Sequence, residues 1–246
     1  MTRPGPVIQI IGGLAAVLAI AGCNGQVIRL GGSADSGAPC AHAQVPANEV
    51  LWIGDSWQLV PSGGEAHTDV RNLARAAGAI GPNDDYTIAA TAAAPMIPPA
   101  TGGGPTPVPT QYTLQEATAT KVKVLIMDGG TWDTITNGTA TATIDGVAST
   151  FTQLLSTVAT DGTVTAVIYF LVPELSNVPG VATLHPLLQQ ACTKSTVPCY
   201  FIDLQPIWSG HSDYSTTTAP PVPTSAGATA MADAIWATMQ TYCVAQ

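Results

Sequence analysis

Apolar positions along this chain fall into two alternating kinds of run. Five short stretches rich in Val and Ile, at residues 50–53, 86–90, 122–127, 163–171 and 200–204, are almost unbroken by polar residues. Runs of that length and density read as strands covered on both faces. Between them the spacing changes to helical. Residues 67–77 place Val70, Leu73, Ala74 and Ala77 on one face, and 147–158 place Val147, Phe151, Leu154, Leu155 and Val158 on another, with Asp145 positioned as an N-cap. The segment 225–242 gathers Met231, Ile235, Trp236 and Met239. Strands alternating with helices predict an α/β protein, a single three-layer α/β/α sandwich around a five-stranded parallel sheet.

Two regions depart from this pattern. Residues 94–110 contain three consecutive glycines and repeated prolines between the second strand and the next short helix, which predicts a long loop on the edge of the sheet. It is read either as a wall of a pocket or as a plain surface insertion. At the other end, Arg3 precedes an apolar run over residues 7–21 that is short for a bilayer span and closes on Ile20-Ala21-Gly22-Cys23. That ending resembles the lipobox of bacterial lipoproteins. The resemblance implies a signal peptide over residues 1–22 and a lipidated Cys23, hence a protein anchored on the bacterial cell envelope and facing the periplasm or exterior. Residues 23–48, rich in Gly, Ser and Ala without periodicity, are then expected to be a flexible tether, and 49–246 the domain.

Composition narrows the partners. Removing Arg3 with a leader takes the net charge from −9 to −10, and no basic cluster interrupts it, so nucleic acid is excluded as a partner. If Cys23 is lipidated, Cys40, Cys192, Cys199 and Cys243 remain, an even number in an oxidising compartment. Of the three connectivities, Cys192–Cys199 across a short loop and Cys40–Cys243 across the two ends are the expected pair. The cysteines lack the spacing of zinc ligands, and no motif implies a metal or a cofactor.

Candidate chemistry begins where the first strand ends. Leu51-Trp52-Ile53-Gly54-Asp55-Ser56-Trp57 runs an apolar strand into a tight turn, which exposes the Ser56 hydroxyl and leaves its N–H available as half of an oxyanion hole. In open α/β sheets this carboxyl edge is where ligands bind. Together with the run from Val124 to Asp133 and the run from Pro223 to Trp236, the Gly-Asp-Ser turn resembles the SGNH, or GDSL, hydrolases, a family of esterases, lipases and carbohydrate deacetylases with a flavodoxin-like sheet. The resemblance covers most of residues 49–246. It implies a serine nucleophile at Ser56 and a small acyl ester or carbohydrate as ligand.

The remaining family residues are replaced. The resemblance puts the oxyanion glycine near Ala92 and the oxyanion asparagine, two residues after Gly130, at Trp132. It puts the orienting acid at Ala219 and the base at Val222. A serine hydroxyl is a weak nucleophile without a base, so this set reads as a degenerate esterase with little turnover, acting in binding or assembly. Two alternatives stand beside it: an active ester hydrolase or deacetylase with His211 as substitute base, and a structural surface protein. His67 and His185 are expected to be solvated or capping, and His42 falls in the tether. Asp55, Trp57, Gly130, Trp132 and Trp208 are expected to line a binding crevice at the strand ends, with packing into the core as the alternative for the tryptophans.

Overall fold

The computed structural model describes residues 27–29, 45–59, 65–100, 102–175, 178–218 and 220–244. Its six-stranded sheet has the spatial order β1-β6-β5-β4-β2-β3, with β1 Val27–Arg29, β2 Val50–Ile53, β3 Thr87–Ile88, β4 Val124–Met127, β5 Ala166–Leu171 and β6 Cys199–Asp203. The five strands from β2 to β6 are parallel, in register through Leu51, Leu125, Val167 and Cys199. The strands β2, β4 and β5 are buried at every position. This explains their unbroken apolar runs: helices cover both faces, so neither face needs polar side chains.

Helix α1 (Ala66–Ala76) packs on α7 (Ser225–Tyr242), while α4 (Thr141–Asp161) packs on α5 (Val181–Lys194) and meets α2 (Val108–Glu116) and α3 (Thr131–Asn137); a single turn, α6 (Gln205–Trp208), follows β6. Three layers result. Among the described residues no helix is long and apolar enough to cross a membrane, and the apolar run at 7–21 lies outside them.

Several boundaries differ from the sequence pattern for physical reasons. The sheet gains a sixth strand, because Val27–Arg29 pairs antiparallel with β6 inside the stretch expected to be a tether. Asp145 is not a cap: Ile144 extends the buried stripe of Val147, Phe151 and Leu155 by one turn, and α4 starts at Thr141. Helix α5 buries Val181, Leu184, Leu188, Ala191 and Cys192 at helical spacing although Pro186 interrupts its backbone hydrogen bonding. The proline hides this helix in the sequence. Its last turn is tied to β6 by the Cys192–Cys199 disulfide, with Cα atoms 5.2 Å apart, a short closure contributing roughly 2–3 kcal/mol. Cys243 is also disulfide-bonded. Its expected partner Cys40, like Cys23, lies outside the described residues.

Candidate active site

The turn after β2 is built from inside outwards. Gly54 has a φ of 140°, and a Cβ there would stand 1.7 Å from Asp128 Oδ1. Only glycine fits. Both of its backbone groups are held by one buried side chain: Gly54 N–H donates to Gln111 Oε1 at 2.7 Å, and Gln111 Nε2 donates to Gly54 O at 3.1 Å and Thr106 O at 2.9 Å. Gln111 thereby fastens the end of the Pro-Gly loop to the serine turn. Asp55 N–H donates to Asp128 Oδ1, and Asp55 Oδ1 accepts from Trp57 N–H, each at 3.0 Å. This aspartate turn leaves Ser56 half-buried at the carboxyl edge of the sheet.

Opposite the serine stands the loop after β3. Ala93 N–H donates to Ser56 Oγ at 2.8 Å, and Ala93 has a φ of 61°. A left-handed alanine carries roughly 1–2 kcal/mol of strain, held here by its surroundings. The next residues are pinned by buried Asp133, whose carboxylate accepts from Met96 N–H at 2.7 Å and Ile97 N–H at 3.0 Å. Ser56 N–H has no acceptor among the described residues, so it stands available beside the Ala93 N–H that reaches the hydroxyl. That is part of an oxyanion hole.

Beneath the turn lies a concentration of acid. Asp55 and Asp128 are 3% and 1% exposed, and Asp128 Oδ1 also accepts from Gln58 Nε2. Burial raises both carboxyls, and the neighbouring Asp55 charge lifts Asp128 further, well above the usual carboxylate range. Asp128 Oδ2 has no hydrogen-bond partner among the described residues. A proton held on Asp128 and shared with Asp55 resolves both facts. Burial also raises Asp133, against the lowering effect of the Met96 and Ile97 N–H groups.

The crevice over Ser56 is nearly filled. Asp55, Ser56, Trp57, Thr131, Trp132, Ile135, Pro220, Pro221 and Val222 enclose about 10 Å³, on the order of one water molecule. Trp132 is half-buried on one wall, while Val222 is tied back by hydrogen bonds of 3.0 and 2.8 Å with Thr216.

No family model matches the chain, and no curated protein does. Solved structures do. A family 3 carbohydrate esterase from Clostridium thermocellum aligns over 80% of this chain and 98% of its own, at 13% identity and a TM-score of 0.61. A family 3 carbohydrate esterase from Talaromyces cellulolyticus aligns over 77% and 95%, at 15% identity and a TM-score of 0.57. A carbohydrate acetylesterase from Sinorhizobium meliloti aligns over 77% and 97%, at 14% identity and a TM-score of 0.58. The chain has the SGNH-hydrolase fold.

Within that SGNH fold, the structure redistributes several roles expected from the sequence. The N–H at Ser56 Oγ belongs to Ala93, not Ala92, which is exposed. Gly130 does not line the crevice. Its φ of 95° at the N-cap of α3 and a Cβ position 2.5 Å from Val147 Cγ1 let the start of α3 pack closely against α4. Trp57 and Trp208 are buried and packed on each other with ring centres 5.9 Å apart; Trp57 and the more exposed Trp132 line the crevice, and Trp208 does not. Trp208 instead donates to Ser215 Oγ at 2.8 Å.

His211 does not meet the serine. Its ring stacks on Tyr214 at 4.2 Å and lies 3.9 Å from Asp213, half exposed, outside the crevice lining. Ala219 lies outside the described residues. His67 is buried rather than solvated, with Nδ1 on Gln58 O at 3.2 Å and Nε2 on Glu65 at 3.3 Å. His185, far from capping, faces Asp203. Sequence reasoning missed Gln111, Ala93, Asp128 and Asp133, although both aspartates stand in the run that suggested the family.

Proposed function

We propose that this protein is a lipid-anchored envelope protein in which an SGNH esterase scaffold has lost efficient catalysis and serves ligand binding or assembly, its ligand a carbohydrate or a small acyl ester. One observation carries the reading: Ser56 keeps backbone oxyanion donors but meets no histidine among the described residues, and Val222 closes the crevice where the family's base would stand. Loss of the base histidine in a serine triad lowers kcat by about 10⁶. The anchor reading rests on the Cys23 sequence, and the carbohydrate reading on the esterases that share the fold.

A second reading, an active ester hydrolase, is favoured by the Ala93 N–H bond to Ser56 Oγ, since a wholly abandoned site has no need of a strained donor at its nucleophile. A fluorophosphonate probe with p-nitrophenyl acetate turnover separates the two. The degenerate reading expects neither labelling nor turnover above a Ser56→Ala control, and Ser56-dependent labelling would sink it. Rebuilding the family set with Trp132→Asn, Ala219→Asp and Val222→His is expected to create measurable esterase activity. Loss of membrane association in a Cys23→Ala variant, followed by fractionation, tests the anchor.

A further inference from the structure

A far roomier cavity than the one at Ser56 lies elsewhere on the sheet edge. It holds about 530 Å³ between α5 and the carboxyl end of β6, lined by Glu174, Val181, Ala182, His185, Asp203 and Gln205. That volume is in the range of small-molecule sites. It shares the carboxyl edge with Ser56 but none of its lining, and three strand spacings separate β6 from β2, about 14 Å.

Its polar groups are ordered by one another. His185 Nε2 is 3.3 Å from Asp203 Oδ2, and its ring is held edge-on by Phe201 at 5.3 Å. Asp203 Oδ1 accepts from Gln205 N–H at 2.9 Å, Gln205 Oε1 accepts from Glu174 N–H at 2.6 Å, and Glu174 Oε2 accepts from Ala182 N–H at 3.2 Å. These bonds fix the frame and leave Glu174 Oε1, His185 Nδ1 and the Gln205 amide group without a protein partner among the described residues. With Nε2–H turned to Asp203, Nδ1 is an acceptor. Two carboxylates therefore face a cavity whose lining, among the described residues, contains no Lys or Arg. An anionic pocket whose open groups are mainly acceptors selects a ligand that brings donors and positive charge. A bare metal ion is a poorer fit, because among the described residues no three His, Cys, Asp or Glu side chains converge as ligands.

We propose that this cavity is a second binding site, for a small organic cation carrying a primary ammonium group, with Glu174 and Asp203 supplying the countercharge, His185 and Gln205 orienting it, and Val181 and Ala182 contacting its apolar part. It stands whether or not Ser56 is active. The test is calorimetric titration of the whole chain with 1,4-diaminobutane, and with neutral 1,4-butanediol, at about 150 mM salt, where charges are screened beyond about 8 Å. Saturable binding of the diamine alone is expected, unchanged in Ser56→Ala and about ten-fold weaker or worse in Glu174→Gln and in Asp203→Asn. Ala182→Trp, at an exposed helix position, leaves the charges in place and fills the cavity, and is expected to abolish binding without disturbing the fold. Equal affinity for the diol, no binding of the diamine, or diamine binding indifferent to all three substitutions would overturn the proposal.

Discussion

The Ser56 crevice and the His185 cavity sit on the same carboxyl edge of one sheet, and each holds what the other lacks. The first has a nucleophile and backbone donors but, among the described residues, no base, and is filled to about 10 Å³. The second has a histidine oriented by an aspartate and about 530 Å³ of space, but no nucleophile. An imidazole about 14 Å away by strand spacing cannot take a proton from a serine, because general-base catalysis needs contact near 3 Å. Chemistry in this fold is decided by which strand end a residue follows, not by its presence in the chain. The two regions also differ in how they are held: the serine turn by buried, mutually dependent contacts, the cavity by half-exposed polar pairs. Substitutions are therefore expected to act far more strongly in the first.

The largest effect is expected at Gly54. Gly54→Ala drives a methyl group into Asp128 and Gln58 Nε2, at 1.7 and 2.3 Å. A clash of that kind in a buried turn exceeds about 4 kcal/mol. Gly210→Ala, also at positive φ but with nothing within 4 Å, is expected to cost about 1 kcal/mol. Urea denaturation of both gives the contrast, and similar midpoints would mean that the serine turn is not the rigid element described.

Next is Asp133→Ala, which leaves the Met96 and Ile97 N–H groups without their acceptor, at about 1–3 kcal/mol for buried orphaned donors. It also frees the loop that carries Ala93. Hydrogen exchange at residues 93–97 is expected to accelerate more than in the rest of the sheet edge, and uniform acceleration would count against Asp133 as the pin of that loop.

These two positions show what the sequence made legible. The strand positions were readable because burial on both faces admits only apolar residues, and Gly54-Asp55-Ser56 because a tight turn restricts residue types. Asp128 and Asp133 were in view yet their roles were not, since Asp133 accepts from backbone groups that any sequence supplies, and Asp128 from the Asp55 N–H and a glutamine 70 positions away. Gln111 is harder still: it lies 57 positions from Gly54, and nothing local marks it. The tryptophans misled for a related reason. A ring at a strand end looks the same in the sequence whether it is packed away from the crevice, as Trp208 is, or lines it, as Trp57 and Trp132 do.

Asp128→Asn is expected to act in the opposite direction. A carboxyl whose folded pKa is raised contributes stability that is complete below its unfolded pKa, near 4, and is lost as the pH rises through the folded value. Asparagine copies the protonated form, accepting from Asp55 N–H and Gln58 Nε2 through its oxygen and donating to Asp55 through its amide. The variant should match the wild type near pH 4 and gain on it as the pH rises, by about 1–2 kcal/mol once the wild-type pair ionises. A difference that stays constant with pH would show that Asp55 and Asp128 do not share a proton.

The smallest effect is expected in the cavity. His185 and Asp203 are 29% and 23% exposed in their side chains, and pairs in contact with solvent contribute at most about 1 kcal/mol. His185→Ala removes that pair and the edge contact with Phe201 but leaves α5 anchored through Leu184, Leu188 and the Cys192–Cys199 disulfide. Stability should fall by less than about 1 kcal/mol, with no change at the Ser56 turn. A loss of several kcal/mol would make His185 a structural strut of α5 and place the two regions in one energetic class. A small loss keeps them apart, because a site whose polar groups can be changed at little expense to the fold is free to be shaped by its ligand.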